Sequence, residues 1–244
     1  QEALPLSPDR PAAAPAGRGR IARDARGNSL ISAMSGSFSA LVAEGLRTER
    51  FTLLDVGCSS GAFLMSACRL GFRAEGVEPS ADAAHTARSA GLAVFTGYLE
   101  QARFPDASFD AVTLIEIVEH LRDALALLTE CARILKPGGV MLITTPNAHS
   151  WTARAMGARW AGFSLNDMGG HISFFNPQSM RILATRCGLE VHHLETRNVR
   201  FFERGQCAPV MHAAAKIAAE LLNWPARIAG TGHDLHAYLQ RPLP

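Results

Sequence analysis

The sequence predicts an α/β fold, in which a doubly wound and mostly parallel sheet of seven strands carries helices on both faces. Two observations lead to this prediction. Short apolar runs typical of buried strands alternate with longer segments whose apolar residues recur at helical spacing. Glycines or an Asn-Pro pair separate most of these segments. Repeated strand–helix–strand units form parallel sheets, because each crossover helix returns the chain to the edge where the previous strand began.

The first half of the sheet is predicted in the part of the sequence before residue 100. The first apolar run ends at Gly57, and Ser80 is a suitable helix N-cap because its hydroxyl can accept a backbone N–H. Gly71 and Gly91 are suitable helix ends, because glycine tolerates left-handed backbone. The elements predicted here are strands at 51–56, 72–77 and 92–97 and helices at 62–70 and 80–91.

The second half contains four more predicted strands and three helices. Asp123 is positioned to cap the first of these helices, and the Lys-Pro-Gly-Gly stretch at 136–139 is expected to end it. Asn176 begins the next helix, after an insert at 146–175 that shows no regular pattern. The elements predicted here are strands at 109–115, 140–145, 189–196 and 235–239 and helices at 124–135, 177–187 and 209–224.

A single domain with a tail is the predicted organisation. Residues 1–27 are rich in Pro, Ala and Arg without periodicity, so they are predicted to be a disordered tail. Residues 28–244 are predicted to form one domain with its core at 50–197. An N-terminal helix is expected at 28–48, where apolar residues such as Met34 and Phe38 share one stripe.

Composition and charge exclude several classes of protein. A formal net charge of +2 is too small to indicate a nucleic-acid-binding protein. The five cysteines are scattered and form no C-x-x-C pair, which favours reduced thiols and a cytoplasmic location. No apolar stretch of about 18 residues is present, so no transmembrane segment is predicted. The start of the sequence also lacks the charged and apolar regions of a signal peptide.

A glycine-rich turn follows the first predicted strand and fits two different patterns. Residues 57–61, Gly-Cys-Ser-Ser-Gly, match G-x-S-x-G, in which Ser59 would be the nucleophile of a hydrolase. They also match a turn that lets backbone approach a nucleotide-like ligand at the start of a helix, and Ser59 or Ser60 could then cap that helix. The hydrolase fold needs several strands before its nucleophile, and the sequence has no room for them. The binding turn is therefore favoured.

Two acidic residues near this turn predict the chemistry of the ligand. Glu78 lies 21 positions after Gly57, at the end of the second predicted strand, where an acid can accept hydrogen bonds from both hydroxyls of a ribose. Asp55 directly precedes the turn. A carboxylate there disfavours phosphates and suits a ligand that carries an ammonium and a sulfonium group. These features indicate S-adenosyl-L-methionine, although Asp55 could also serve only to hold the loop.

Five stretches of the sequence resemble the motifs of a known family. "LLDVGCSSGAFL", "GVEPS", "FPDASFDAVTLIEIVEHLRD" and "LKPGGVMLITTPN" are similar to the successive motifs of class I S-adenosylmethionine-dependent methyltransferases. "GGHISFFNPQSMRILATRCGLEV" resembles the ubiquinone O-methyltransferase-like branch of that family. The resemblance covers roughly residues 50–197 and implies a Rossmann-like sheet. The family often has glycine where this sequence has Ser59.

The resemblance also implies which residues hold the cofactor. Those assigned to the methionine portion are Asp55, Gly57, Cys58, Ser59 and Gly61. Those assigned to the ribose and the adenine are Glu78, Pro79, Tyr98, Leu99 and Glu100. Ile115 and Glu116, at the end of the fourth predicted strand, are expected to face the methionine and the transferred methyl group. Packing alone is the alternative role for Ile115.

A cluster of polar residues after the fourth strand is the candidate catalytic site. Glu116, Glu119 and His120 have the spacing i, i+3 and i+4, which places them on one face of a helical turn. Two carboxylates and an imidazole suit a divalent cation. With His171, the pattern resembles the Mg²⁺ or Mn²⁺ site of ubiquinone O-methyltransferases and of small-RNA 3′-end 2′-O-methyltransferases. The alternatives are that His120 acts as a base without metal, or that it only orients the loop.

The acceptor side is expected to come from three segments outside the common core, at 28–48, 147–175 and 198–232. Their aromatic residues suit ring-shaped acceptors, and they are Trp151, Trp160, Phe163, Phe201, Phe202 and Trp224. The favoured function is O-methylation of a small molecule, or of a glycan or natural-product intermediate. The alternatives are an RNA 2′-O-methyltransferase with a divalent metal and a non-catalytic cofactor-binding subunit. A homodimer through the 209–224 helix is also considered.

Overall fold

Seven strands form one sheet in the computed structural model, which describes residues 51–160, 163, 170–200 and 209–244. The tail, the 28–48 helix, Phe201 and Phe202 lie outside the described residues. The strands are β1 (Thr52–Val56), β2 (Arg73–Glu78), β3 (Ala93–Thr96), β4 (Phe109–Ile115), β5 (Leu135–Pro146), β6 (Glu190–Arg197) and β7 (Asp234–Gln240).

Seven α-helices connect these strands in the described part of the chain. They are α1 (Ala62–Arg69), α2 (Ala81–Ser89), α3 (Leu99–Ala102), α4 (Ala124–Ile134), α5 (Trp151–Met156), α6 (Pro177–Arg186) and α7 (Pro209–Ile228). Ser80, Asp123 and Asn176 cap α2, α4 and α6 through their side chains. These caps were predicted, because short polar side chains satisfy the free N–H groups of a first turn. None of the described helices is long and apolar enough to span a bilayer.

The sheet has the order β3-β2-β1-β4-β5-β7-β6. All neighbouring strands pair in parallel except β7, which runs antiparallel to both β5 and β6. The strand order reverses between β1 and β4, so the connections leave these two strands in opposite directions. A crevice forms at such a switch point, beside the carboxyl ends of the strands. The α/β prediction of a doubly wound, mostly parallel sheet of seven strands is confirmed.

Two hydrophobic layers cover the two faces of the sheet. Leu53 and Leu54 are neighbours in β1 and both are buried, but they belong to opposite layers because strand side chains alternate. Members of one layer include Leu114, Leu128, Ile134, Met141 and Leu239, and members of the other include Leu64, Ala87, Val140, Leu142 and Tyr238. With both faces covered, the open crevice lies at the edge where β1, β2 and β4 end.

The structure differs from the predicted elements in several places, and the short helix α3 was not predicted. The stretch at 136–139 belongs to β5, where a bulge lets Leu135 pair with Phe109 and Val140 pair with Ala111. A side chain at Gly139 would contact the backbone oxygen of Lys136 at 2.8 Å, so this bulge requires glycine. The insert contains α5, and α7 continues four residues beyond the predicted end at Trp224.

Candidate active site at the carboxyl edge of the sheet

The glycine-rich turn joins β1 to α1 and presents backbone to the crevice. The amides of Gly57 and Cys58 both donate to the carbonyl of Val77 on β2, at 2.8 and 3.2 Å. Gly57 has a φ of 74°, and a Cβ atom there would overlap the side chain of Ile117. Ser59 also has a left-handed φ, of 50°, which explains why glycine suits this position. Glycine at position 57 therefore makes room for the side chain of Ile117, and the left-handed turn places the backbone amides of residues 57–59 at the edge of the crevice.

The predicted capping of α1 by a serine is wrong. Gly61 is the N-cap of this helix, with a φ of 85°, and no side chain bonds to its first turn. The N–H groups of that turn are therefore not occupied by side-chain caps. They lie directly after the bare backbone of the turn, at the edge of the sheet where a ligand would bind.

Glu78 ends β2, and its carboxylate is fixed by two backbone N–H groups. Its Oε2 accepts from the amide of Ser59 at 2.9 Å, and its Oε1 accepts from the amide of Ser80 at 2.8 Å. The residue is buried. Each carboxylate oxygen can accept a further hydrogen bond. Glu78 is thus both the support of the turn and a rigid double acceptor, as a ribose site requires.

Asp55 is the last carboxylate before the turn, and it is almost completely buried. Thr113 on β4 donates its hydroxyl to Oδ1 of Asp55 at 2.6 Å. Burial raises the pKa of Asp55 to about 7; the Thr113 hydrogen bond lowers this pKa, and the negative charge of Glu78 raises it. Asp55 therefore changes its charge near neutral pH, and a cationic ligand would favour its ionised form.

Cys58 is a packed thiol of the turn. Burial, followed by the charges of Asp55 and Glu78, raises the pKa of Cys58 to about 12, so the thiol stays neutral. Its Sγ atom lies against Gly76 of β2, where any larger residue would clash with it. Cys58 thus shapes the turn through packing, and a thiol held in this neutral state is a poor nucleophile.

The predicted adenine contacts lie where α3 follows β3. The amide of Gly97 donates to the carbonyl of Glu78 at 2.9 Å, which ties this segment to the ribose candidate. Leu99 is buried, whereas the side chains of Tyr98 and Glu100 are exposed. The aromatic ring of Tyr98 and the carboxylate of Glu100 are therefore available to a ligand. Leu99 instead packs in the hydrophobic core beneath this segment.

The chain changes direction sharply after β4. Glu116 has a left-handed φ of 54°, an uncommon conformation for a residue with a side chain and one that often marks a functional site. Its carboxylate is near the hydroxyl of Thr144, at 3.2 Å. Burial and the carboxylate of Glu119 raise the pKa of Glu116 to about 7, and Asp234 contributes to the rise. Ile115 is only half-buried, so it can meet a ligand in the crevice.

Glu119 is a buried acidic residue in the short 3₁₀ turn at Val118–His120. Oε2 of Glu119 accepts from the hydroxyl of Thr145 at 3.0 Å, and Oε1 is buried without a hydrogen-bond partner. The carbonyl oxygen of Glu119 accepts from the amides of Ile172 and Ser173, at 2.9 and 3.0 Å. These two bonds bring the distant segment of His171 to the end of β4.

Three predicted residues meet at this point. The ligating atoms of Glu119, His120 and His171 all lie within 4.8 Å of one another, and the two imidazole rings are 4.8 Å apart. Nδ1 of His120 faces the carbonyl oxygen of Gly170 at 3.1 Å. A carbonyl only accepts, so Nδ1 carries the proton and Nε2 keeps its lone pair. Glu116 lies outside this trio, and only its carboxyl group reaches toward Glu119.

The trio fits a divalent cation by the nature of its donors. A buried carboxylate oxygen such as Oε1 of Glu119 is costly unless a cation or a proton donor reaches it, and the neighbouring Glu116 carboxyl group is such a donor when it is protonated. Two imidazoles and one carboxylate suit Mn²⁺ and similar transition metals better than Mg²⁺, which prefers oxygen ligands. Glu119, His120 and His171 would hold such an ion. Thr145 supports the carboxylate from behind, a role that sequence reasoning missed.

A row of aromatic rings leads away from the trio. Phe174 lies 5.0 Å from Phe163, Phe163 lies 4.9 Å from Trp160, and Trp160 lies 6.0 Å from His233, measured between ring centroids. The rings meet edge to face, and Phe163 and Phe174 are partly exposed. Trp160 and Phe163 were predicted to line the acceptor side. Sequence reasoning missed Phe174 and His233, although Phe174 is adjacent to the His171 motif.

Ile117 and Thr113 are further site residues that sequence reasoning missed. Ile117 packs over Gly57, and Thr113 holds Asp55. Both lie in or directly after an apolar strand, where their residue types predict only packing. Of the other predicted aromatics, Trp151 is half-buried at the start of α5, and Trp224 is exposed on α7.

Comparisons with known proteins agree with this geometry. A family model described as a methyltransferase domain matches residues 17–194. The ubiquinone biosynthesis O-methyltransferase of Xanthomonas oryzae pv. oryzae is 38% identical over 102 residues, which are 39% of this chain and 43% of that relative. The ubiquinone biosynthesis O-methyltransferase of Cereibacter sphaeroides is 34% identical over 157 residues, 60% of this chain and 61% of the relative. The chain thus spans less than two thirds of the length of either relative.

A solved structure shows the same fold. The S-adenosylmethionine-dependent methyltransferase from Archaeoglobus fulgidus superposes with a TM-score of 0.58 at 18% identity, and the match covers 83% of this chain and 91% of that one. The family model covers well over half of the sequence and includes the turn, the end of β2 and the Glu119–His120 pair. From the family match and the shared fold, we conclude that the chain belongs to the class I S-adenosylmethionine-dependent methyltransferases.

Proposed function

We propose that this chain transfers a methyl group from S-adenosyl-L-methionine to a hydroxyl oxygen of a small molecule that contains a ring. The observation that carries the proposal is the position of Glu78. Its carboxylate is held by two backbone N–H groups beside the glycine-containing turn at 57–61, and the Glu119, His120 and His171 trio follows a strand two places along the same edge. The arrangement supports a donor site next to a reaction site. We also propose that residues 28–244 form one domain that contains both sites.

The donor site is proposed to consist of the predicted residues together with Ile117. Asp55 and the turn would hold the methionine portion, Glu78 the ribose, and Tyr98 with Glu100 the adenine side. When bound, S-adenosylmethionine supplies an electrophilic methyl group with a neutral thioether as leaving group. The protein then has to align an acceptor oxygen about 3 Å from that methyl carbon and exclude water. Ile115 and Ile117 provide apolar surface for this purpose at the end of β4.

The trio is proposed to activate the acceptor hydroxyl. A hydroxyl is a weak nucleophile until it loses its proton, and a positioned base contributes about 100- to 10,000-fold to such a step. Nε2 of His120 has the lone pair that such a base requires, because Nδ1 is engaged with Gly170. In the alternative, Nε2 of His120 would instead bind a Mn²⁺ ion, which would lower the pKa of the acceptor hydroxyl in place of the base. Glu119 and His171 complete the donor set for that ion.

The acceptor is proposed to be a ring compound of low charge. Phe163 and Phe174, which are partly exposed, offer ring edges and faces for stacking, and the buried Trp160 supports Phe163. The carboxyl group of Glu116 reaches toward Glu119 of the trio and feels the charge of Asp234, so a polyanion such as RNA is disfavoured there. The trio and the arginine-rich stretch at residues 10–26 are the features that favour an RNA 2′-O-methyltransferase. The location is proposed to be the cytoplasm, because the four described cysteines are all unpaired and free thiols persist under reducing conditions. A homodimer remains a prediction.

A methyl-transfer assay tests this function. The purified chain, with Mn²⁺ and isotopically labelled S-adenosylmethionine, is incubated with a panel of catechols, phenols and hydroxylated sugars, and in parallel with a small RNA. We expect label on at least one ring compound and none on the RNA. Label on the RNA alone would reverse the choice between the two acceptor classes. Saturable donor binding without transfer to any compound would support the non-catalytic subunit instead.

Donor binding is expected to become stronger as the pH rises from 6 to 8. The donor's ammonium group favours the ionised form of Asp55, whose pKa is about 7 before the ligand binds. The ionised fraction rises from about one tenth at pH 6 to about nine tenths at pH 8, so the affinity should increase about tenfold. Titration calorimetry with S-adenosylhomocysteine, which keeps the ammonium group, measures the effect. An affinity that is constant over this range would contradict it.

A further inference from the structure

Thr113 is a buried polar residue in the middle of β4. Its hydroxyl contacts the Asp55 carboxylate of the proposed donor site. β1 and β4 pair in parallel, and Thr113 stands in register with Asp55 on the neighbouring strand. The side chain of Thr113 is completely buried. A hydroxyl group in such a place needs a partner, and the two oxygens within reach are those of Asp55 and Leu54.

The hydroxyl proton of Thr113 is directed to Asp55. A threonine hydroxyl has one proton to donate. Its oxygen lies 2.6 Å from Oδ1 of Asp55 but 3.5 Å from the carbonyl oxygen of Leu54, and only the shorter distance is that of a strong bond to a charged acceptor. No described residue donates a hydrogen bond to Oδ2 of Asp55. Thr113 therefore holds the carboxylate of Asp55 through Oδ1, which fixes its orientation.

The other groups that face Asp55 do not stabilise its negative charge. Glu78, from the end of β2, is itself an acid, and Cys58, from the turn, is a neutral thiol. Within the described residues, no Lys, Arg or His forms an ion pair with Asp55. The Thr113 hydroxyl is thus the contact that opposes burial and lets the carboxylate ionise near neutral pH rather than at a higher pH.

We propose that Thr113 is a positioning residue for the donor: it orients Asp55 toward the ligand's ammonium group and sets the pH range in which the donor binds. This inference rests on the proposed function, because it takes that ammonium group as the ligand of Asp55. It extends the donor site by a residue in the strand behind the turn. Thr113 itself does not need to touch the ligand.

The Thr113→Val variant tests the proposal. Valine fills the same volume without a hydroxyl, so the Asp55 carboxylate loses its hydrogen bond. A hydrogen bond to a charged group is strong enough to move the midpoint of the binding profile upward by about one to two pH units. At pH 7 the affinity for S-adenosylhomocysteine should therefore fall about 5- to 50-fold. Near pH 9 the variant should bind within about twofold of the wild type.

Thr52→Val is the matched control. Thr52 also lies on this pair of strands and donates its hydroxyl to a carboxylate, Oδ2 of Asp110 at 2.8 Å, but at the opposite end of the sheet. Its substitution should leave the binding profile unchanged. Thr113→Ser keeps a hydroxyl and should restore most of the neutral-pH affinity. Thr113→Ala also lacks the hydroxyl group but has a smaller side chain, so it replaces the valine variant in this test if that variant does not fold.

The outcomes separate this inference from the function on which it rests. A Thr113→Val profile that matches the wild type, or one that is weakened equally at every pH, would overturn the positioning role and leave the donor site intact. Wild-type protein that binds no S-adenosylhomocysteine at any pH would overturn both. A shifted midpoint with restored binding at high pH, together with rescue by serine, supports the proposal.

Discussion

Replacing Glu78 by alanine is expected to weaken donor binding by about 100-fold or more. The carboxylate of Glu78 is rigid, because the amides of Ser59 and Ser80 each hold one of its oxygens. Two ribose hydroxyls bonded to such an acceptor would contribute about 1.5 to 3 kcal/mol each. Every 1.4 kcal/mol is a factor of about ten in affinity. Titration calorimetry with S-adenosylhomocysteine at pH 8, where Asp55 is ionised, measures the loss.

The conservative variant Glu78→Gln separates the two roles of Glu78, which are to bind the ribose and to support the turn. Glu78→Gln keeps one carbonyl oxygen but no longer offers two charged acceptors, so its affinity should lie between those of the wild type and of Glu78→Ala. Glu75→Gln is the matched control, because this residue is on the same strand, three positions before Glu78. It should bind normally. A loss of less than about threefold in Glu78→Ala would show that the ribose binds elsewhere.

Glu78 also shows what a sequence can reveal about a site. Its distance of 21 residues from Gly57 predicted an acid at the end of β2, because a strand–helix–strand unit has a typical length. The two backbone N–H groups that hold the carboxylate could not be predicted. They depend on the left-handed turn at Ser59 and on the start of α2, which come together only in the folded sheet.

Thr113, Thr144 and Thr145 show why other site residues were missed. Each donates its hydroxyl to one carboxylate: those of Asp55, Glu116 and Glu119, respectively. In the sequence they stand within apolar strands, where threonine is a common strand residue. Their partners are on different strands or loops, so the register of the sheet decides the contacts. Periodicity within one segment carries no information about that register.

His171 shows both what the sequence predicts about the trio and what only the folded structure reveals. Its residue type and the resemblance of its motif predicted a ligand, but 52 positions separate it from Glu119. Two hydrogen bonds from Ile172 and Ser173 to the Glu119 carbonyl close that distance. Such bonds form only once the insert has folded back over the end of β4. The composition of the trio could therefore be predicted, whereas its assembly required the structure.

Glu119→Gln and His120→Ala are expected to lower methyl transfer by about 100- to 10,000-fold while donor affinity stays within about threefold. The magnitude is that of losing a positioned base or the activation of an acceptor hydroxyl. Donor affinity should persist, because neither residue belongs to the proposed donor site formed by Asp55, Glu78 and the turn. Single-turnover transfer to the acceptor found in the panel measures the first effect, and calorimetry with S-adenosylhomocysteine measures the second.

Metal binding distinguishes the two ways in which the trio could act. If Glu119, His120 and His171 hold Mn²⁺, removing the ion with a chelator should reduce transfer as much as the substitutions do, and electron paramagnetic resonance should show that Glu119→Gln no longer binds Mn²⁺. If His120 is a base without metal, the chelator should have no effect and only His120→Ala should be inactive. His85→Ala, on the exposed face of α2, is the control for loss of a histidine. Full activity in both trio variants would contradict either mechanism, because the hydroxyl would then be activated by groups outside the trio.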